Sequence, residues 1–334
     1  MEKRSSSWLS SGYRPPDLKN WSGRSTQKKS GAQYWYQVIN PINLPERSIK
    51  QHKNKKKSVA LLGYACEEGV IRNQGRVGAA EGPAAIRKRL AKLPIHFKNK
   101  QLFDAGDLLC VNRQMEKTQK QLRNSVYFLL QKDIFPIILG GGHDVALGTF
   151  KGIFQKINQG PQKKIGIINF DAHFDLRPLA ETGNSGTPFF QIAQILKKHN
   201  QPFRYLVAGI QPQGNTQALF NWADKHQVAY ILSDKVVSSR IKKLKKKLQN
   251  FMGQVDHLYL SIDMDGFSSA FAPGVSAPSP LGFEPKVVFK LLKWILNSKK
   301  VRACDIAELN PSYDQDEQTA RLAATLIDFI VDRI

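Results

Sequence analysis

The sequence contains little cysteine and few acidic residues, and it has no long apolar run. Three cysteines occur in 334 residues, far apart and beside apolar stretches: Cys66, Cys110 and Cys304. We interpret them as buried free thiols, which excludes a disulfide-stabilised secreted scaffold. No stretch approaches the roughly 18 apolar residues of a membrane span, and the N-terminus lacks the apolar core of a signal peptide. We therefore expect a cytoplasmic protein without a membrane partner.

The shortage of acids leaves a formal charge of +23, from 50 Lys and Arg against 27 Asp and Glu. Such an excess is typical of some nucleic-acid-binding proteins. However, the lysine runs at 53–57 and 242–247 carry no interleaved aromatic residues and match no nucleic-acid-binding motif. We expect no nucleic-acid partner, and we interpret the run 242–247 as the solvent face of a helix. A positive field attracts small anions, which favours an acidic small-molecule substrate.

The chain divides by composition into an N-terminal arm, 1–57, and a main domain, 58–334. The arm is polar and basic, and we expect its aromatic residues to pack onto the domain: Trp8, Trp21, Tyr34, Trp35 and Tyr36. In the domain, strands are predicted at 59–63, 102–106, 134–139, 164–170, 203–209, 228–232, 256–262 and 301–307. Helices are predicted at 83–93, 114–131, 145–158, 188–199, 215–225, 238–250, 284–296 and 317–332. This alternation predicts an α/β fold with three αβα layers around one doubly wound, mostly parallel sheet of about eight strands.

Acidic and histidine residues follow three of the predicted strands. The motifs are GGGHD at 140–144, DAHFD at 171–175 and SIDMD at 261–265. Residues i and i+2 of an extended segment share a side, and the active sites of such sheets form at the carboxyl ends of the strands. Six candidate metal ligands are therefore expected to converge there: His143, Asp171, His173, Asp175, Asp263 and Asp265.

The chemistry of these six residues favours two divalent cations. Four carboxylates in one place repel each other unless cations neutralise them. Oxygen ligands with a minority of imidazole suit Mn²⁺, and two such ions can share one water molecule and lower its pKa. Taken singly, each motif has another interpretation, since a glycine triplet can bind phosphate, a histidine can cap a helix and an Asp-x-Asp pair is common in turns.

The three motifs, in this order and spacing, resemble those of the arginase, agmatinase and formimidoylglutamase family over residues 58–334. The resemblance implies an arginase-like fold, closed homo-oligomers, and the six residues as ligands of two manganese ions per chain. It also implies catalytic roles for Asp175, beside the water between the metals, and for Glu308, which would anchor an amidinium or guanidinium group. From the residues alone, Glu308 is a carboxylate just past the predicted strand 301–307, where it could meet a cationic group. The alternative is an ordinary surface acid or a helix-capping residue.

Within that family, the chain is most similar to the formimidoylglutamase branch. Arginases and agmatinases carry a histidine shortly after the DAHxD motif, whereas residues 176–198 contain none. Similar segments include DAHFDLRP, SGTPF and the arm motif Trp21-Ser22-Gly23-Arg24. The resemblance implies hydrolysis of the C–N bond of a linear amidine, N-formimidoyl-L-glutamate, to L-glutamate and formamide in histidine metabolism, with Ser185 as a substrate contact.

Arg177 gives a physical argument for the same substrate. It lies two residues after Asp175 and places a permanent cation beside the site, which suits a dicarboxylate and repels the cation agmatine. A structural salt bridge, for instance to Glu181, is the alternative. Two other functions also remain open: a guanidine hydrolase of the arginase or agmatinase type that releases urea, and a catalytically silent, metal-stabilised binding protein.

Overall fold

The computed structural model describes residues 9, 12–24, 33–44, 57–160 and 163–334. In these ranges the strands form one ten-stranded sheet. They are β1 Tyr13–Arg14, β2 Ile39–Pro41, β3 Lys57–Ala65, β4 Lys100–Leu109, β5 Ile134–Leu139, β6 Ile165–Phe170, β7 Arg204–Ile210, β8 Ala229–Leu232, β9 His257–Asp263 and β10 Val301–Ala307.

The strand order is β1-β4-β3-β5-β10-β9-β6-β7-β8, with β2 also paired to β4. Only the pairing of β1 with β4 is antiparallel among these strands. Strands β3 to β10 correspond to the eight that the sequence predicts, so the doubly wound, mostly parallel sheet is confirmed. Strands β1 and β2 come from the arm and were not predicted.

Helices cover both faces of the sheet. They are α1 Trp35–Val38, α2 Glu68–Arg72, α3 Gly82–Leu90, α4 Met115–Gln131, α5 Val145–Ile157, α6 Pro188–Lys198, α7 Gln217–Lys225, α8 Ile241–Gly253, α9 Pro285–Asn297 and α10 Gln318–Arg333. The eight longer helices, α3 to α10, match the predicted segments to within a few residues. The lysine run lies on α8, whose buried residues are Leu244, Leu248, Phe251 and Met252, so its interpretation as a solvent face is confirmed.

Two hydrophobic layers lie on opposite faces of the sheet. In β5, Phe135 and Ile137 join the layer beneath α3, α8, α9 and α10, while Ile134 and Ile138 join the layer beneath α4 to α7. The side chains alternate between faces because successive residues of a strand point in opposite directions. Burial on both faces explains why the central strands are apolar throughout.

Part of the arm is anchored by indole hydrogen bonds. Trp21 Nε1 donates to Asp104 Oδ2 at 2.7 Å, and Trp35 Nε1 donates to Asp328 Oδ1 at 2.7 Å. Both indoles are buried against the main domain. The third tryptophan of the arm, Trp8, lies outside the described residues. Within the described ranges, no helix is long and apolar enough to cross a membrane.

Candidate metal centre

The sheet order brings the three motifs together. Strands β5, β10, β9 and β6 are consecutive neighbours and run parallel. His143 follows β5, Asp171 follows β6, Asp263 ends β9 and Glu308 follows β10. Because the carboxyl ends of parallel strands share one edge, these side chains converge on one place although they are distant in sequence.

Four of the six predicted ligands surround one point. His143 Nδ1 lies 3.1 Å from Asp171 Oδ2, 2.8 Å from Asp175 Oδ2 and 3.0 Å from Asp263 Oδ2. One ligand atom from each of these four residues lies within 4.8 Å of the others. All except Asp175 are almost fully buried, and the Asp175 side chain is 11% exposed.

The other two predicted ligands form a second group that shares Asp171. His173 Nδ1 lies 3.6 Å from Asp171 Oδ1 and 3.1 Å from Asp265 Oδ2. The Asp171 carboxylate therefore faces one group with each oxygen. The His173 side chain is 26% exposed, which makes this group the more accessible of the two.

The donor set fits two metal ions. His143 Nδ1 and Asp265 Oδ1 are buried and have no hydrogen-bond partner, which is costly unless a cation is present. Burial raises the pKa of Asp263 well above its ordinary value, and the negative charges of Asp265 and Asp171 raise it further. Bound cations would coordinate these unpaired nitrogen and oxygen atoms and would neutralise the repulsion between the crowded carboxylates.

A chain of buried hydrogen bonds orients His143, and sequence analysis missed it. His143 Nε2 lies 2.9 Å from Ser261 Oγ, and Ser261 Oγ donates to Asp305 Oδ1 at 2.5 Å. Tyr259 OH donates to the other oxygen of Asp305. Because the serine proton goes to Asp305, Ser261 accepts the Nε2 proton of His143 and leaves Nδ1 free as a ligand atom. An aspartate inside the apolar run of β10 was the available signal.

Backbone contacts fix the loops that carry the ligands. Gly141 lies so close to β3 that a Cβ atom there would stand 1.9 Å from the carbonyl oxygen of Cys66, so only glycine fits. Asn215 accepts from Phe174 N at 3.0 Å and donates to the carbonyl oxygen of Ala172 at 2.9 Å, which holds the DAHFD loop. Asp175 adopts a left-handed φ of 49°, a conformation disfavoured for aspartate outside tight turns.

Glu308 lies beside the ligand cluster. Its Oε1 accepts from His143 N at 2.7 Å, its φ is 64°, and the residue is only 5% exposed. Burial raises the pKa of Glu308 to about 8, with a further contribution from Asp265. The carboxylate is therefore poorly compensated by the protein alone, and a cationic group would stabilise its charged form.

Arg177 and Ser185 meet through Asn73, which sequence analysis did not single out. Arg177 Nη1 donates to Asn73 Oδ1, and Asn73 Nδ2 donates to Ser185 Oγ at 3.0 Å. No ion pair joins Arg177 and Glu181, both of which the structure describes. Arg177 as a whole is exposed.

The chain is similar to one family of known proteins. The model of the arginase family matches residues 57–331. A formimidoylglutamase from Clostridium tetani is 42% identical over 96% of this chain and 96% of its own length. A formimidoylglutamase from Legionella pneumophila is 39% identical over 96% of this chain and 98% of its own.

Solved structures show the same architecture. The crystal structure of formimidoylglutamase from Bacillus subtilis superposes with a TM-score of 0.78 at 24% identity, covering 92% of this chain and 93% of that one. Trypanosoma cruzi formiminoglutamase with Mn²⁺ gives a TM-score of 0.72 at 25% identity, covering 87% and 97%. With the family model spanning most of its length and relatives at about 40% identity, the chain belongs to the arginase family.

Proposed function

We propose that this chain is a formimidoylglutamase, which hydrolyses N-formimidoyl-L-glutamate to L-glutamate and formamide. The observation that carries the proposal is the identity of about 40% to formimidoylglutamases over nearly the full length of both chains. The loop after Asp175 agrees with it, because residues 176–198 lack the histidine that the urea-releasing branches carry there.

The proposed cofactor is a pair of manganese ions. One ion would be held by His143, Asp171, Asp175 and Asp263, and the other by Asp171, His173 and Asp265. When bound, such a pair polarises the substrate and lowers the pKa of a water molecule that attacks the amidine carbon. The unpaired Nδ1 of His143 and Oδ1 of Asp265 support this assignment.

Two carboxylates would act on the substrate: one would bind its positively charged amidinium group, and the other would help transfer protons. Glu308, held against His143 N, would accept hydrogen bonds from the amidinium. Asp175 is the partly exposed carboxylate of the first group, and it would orient the attacking water and help deliver a proton to the leaving nitrogen. This division of roles requires no histidine in the loop.

The carboxylates of the substrate would meet Arg177 and Ser185. Arg177 is exposed, lies two residues after Asp175 and donates a hydrogen bond to Asn73. A guanidinium binds a carboxylate through paired, charge-assisted hydrogen bonds, while Ser185 offers a nearby hydroxyl. Arginine and agmatine bring an additional positive charge, which Arg177 would repel.

The division into domains, the cellular location and the oligomeric state of the chain are also proposals. We divide it into an arm, 1–57, and a catalytic domain, 58–334, and we propose a cytosolic homo-oligomer. The domain boundary agrees with the start of the family match at residue 57. The three cysteines are free thiols, which suits a reducing compartment.

One assay separates the candidate functions. Protein reconstituted with Mn²⁺ is incubated with N-formimidoyl-L-glutamate, arginine or agmatine, and formamide and urea are quantified. Formamide from the first substrate, with no urea from the others, is the expected outcome. Urea release would instead favour a guanidine hydrolase. Absence of turnover, with a salt-dependent shift of nucleic acid, would favour the silent binding protein. Asp175→Asn is the matched inactive control.

A further inference from the structure

A second cleft lies at the edge of the sheet opposite the metal centre. Its volume is about 590 Å³. The amino ends of β3, β5, β9 and β10 reach it through Lys57, Ile134, His257 and Val301. Because a strand of six or seven residues spans roughly 20 Å, this cleft is separate from the ligands at the carboxyl ends of the same strands.

The floor of the cleft is apolar. It is lined by side chains of the sheet and of the helices on both faces, among them Phe135, Ile153, Leu296 and Val301. These four residues are largely buried and belong to the two core layers. A cleft of this volume falls in the range of small-molecule sites, which are mostly apolar with a few polar groups at the edge.

The rim of the cleft is cationic. Among its lining side chains one is a carboxylate, Asp133, against five permanent or near-permanent cations: Lys57, Lys156, Lys163, Lys299 and Arg302. The backbone carboxyl of Ile334 also lines the cleft, and it accepts a hydrogen bond from Lys100. No ion pair within the described part of the chain involves any of the five lining cations. Arg302 Nε instead donates to His257 Nδ1 at 2.9 Å, which needs a neutral imidazole.

The cations of the rim repel each other. Burial lowers the pKa of Lys57, and the positive charges of Lys299 and Arg302 lower it further. Burial also lowers the pKa of His257, and Arg302 adds to this shift; Asp256 acts in the opposite direction. An anion in the cleft would relieve this repulsion and accept hydrogen bonds from the same groups.

We propose that this cleft binds a small organic anion with an apolar body, such as an aryl or short acyl phosphate or carboxylate. The charged group contacts Lys57, Lys299 and Arg302, and the body covers the apolar floor. A neutral apolar compound would leave the positive charge of the rim uncompensated. An inorganic anion would leave the apolar floor exposed to water. The ligand also differs from the proposed substrate, a dicarboxylate without a large apolar body.

Isothermal titration calorimetry with 1-naphthyl phosphate tests the proposal on the manganese-loaded full chain. Inorganic phosphate lacks the apolar body, and 1-naphthol lacks the charge. We expect 1-naphthyl phosphate to bind, and each of the other two to bind more weakly by a factor on the order of ten or more. Failure of 1-naphthyl phosphate to bind, or equal binding of either partial ligand, would overturn the proposal.

Paired charge variants locate the binding. Lys299→Gln with Arg302→Gln removes two rim cations, while Lys242→Gln with Lys246→Gln removes two exposed cations of α8 that do not line the cleft. The first double variant should bind 1-naphthyl phosphate on the order of tenfold more weakly, and the second should bind as the wild type does. Equal affinity in both variants would place the probe elsewhere. Melting temperatures and hydrolysis of N-formimidoyl-L-glutamate check that both variants fold.

Discussion

At the scale of single residues, Asp171 is the residue that the two groups of candidate metal ligands share. Its Oδ2 faces His143 and accepts from Asn169 Nδ2 at 2.9 Å, while its Oδ1 faces His173 and accepts from His173 N at 2.7 Å. Asp265 belongs to one group only. Both carboxylates are nearly buried, yet Asp171 belongs to both candidate groups and Asp265 to one.

The first prediction follows from this asymmetry. Asp171→Ala should lower the manganese content from about two ions per chain to nearly zero, whereas Asp265→Ala should keep about one, because only Asp171 contributes to both groups. Elemental analysis after desalting measures the content. Equal loss in the two variants would contradict the shared role of Asp171.

Arg177 supplies the second prediction. Arg177→Ala should raise KM for N-formimidoyl-L-glutamate roughly 10- to 150-fold, the effect of losing about 1.5–3 kcal/mol of charge-assisted hydrogen bonding. The value of kcat should change less, because in the proposed function Arg177 meets the carboxylate end of the substrate and not the reacting carbon. Steady-state kinetics measure both constants.

Arg321→Ala, which removes an exposed arginine of α10, is the matched control for Arg177. It should leave KM unchanged. A lower melting temperature for Arg177→Ala, with the KM of the wild type, would show instead that Arg177 braces the loop through Asn73. The physical argument for a dicarboxylate substrate would then no longer hold.

At the scale of elements, two adjacent strands carry the polar groups that support the site. Ser261 of β9 pairs in register with Asp305 of β10, so a single rung of the sheet holds the hydrogen bonds behind His143. Both residues are fully buried among apolar neighbours. Their position on rigid central strands fixes the imidazole more firmly than a loop would.

The third prediction concerns this rung. Ser261→Ala removes the acceptor for His143 Nε2 and should weaken manganese binding on the order of 10- to 100-fold. Competition with a fluorescent chelator measures the affinity. Ser298→Ala, at the end of α9, loses a serine hydroxyl far from the ligands and should bind manganese as the wild type does. Unchanged affinity in Ser261→Ala would mean that His143 is oriented by other contacts.

Strand β4 is longer than the sequence pattern predicts. The pattern predicts only 102–106, whereas the strand extends over Lys100–Leu109. Asp104 and Asp107 interrupt the apolar run, and they are tolerated because Arg87, distant in sequence, pairs with both. Strands β1 and β2 escaped prediction because two or three residues show no period, and their pairing depends on β4.

At the scale of the whole molecule, the residues that the sequence predicts are those that belong to short local motifs. The six candidate ligands lie in three short motifs at strand ends, so the order of the parallel strands predicts that they converge. Asp305, Asn215 and Asn73 were missed because each acts through partners far along the chain. The packing of Trp21 and Trp35 onto the domain was expected, but the charged contacts between the arm and the sheet were missed for the same reason.

Those contacts centre on Arg87, an arginine that is only 1% exposed. Its guanidinium meets Asp104 Oδ1 at 2.9 Å and Asp107 Oδ1 at 2.6 Å. The arm adds Trp21 to Asp104 and Arg14, at 2.8 Å, to Asp107. One buried charge cluster thereby links α3, β4 and two segments of the arm.

The last prediction tests this link. Arg87→Ala leaves two buried carboxylates without their central cation and should lower the free energy of unfolding by about 3–5 kcal/mol. Arg14 pairs with the same Asp107, but the Arg14 side chain is 49% exposed. Arg14→Ala should therefore lower the free energy of unfolding by at most about 1 kcal/mol. Urea denaturation of the metal-loaded variants measures both changes. Similar losses would show that solvent reaches the cluster and that the arm, rather than Arg87, compensates its acids.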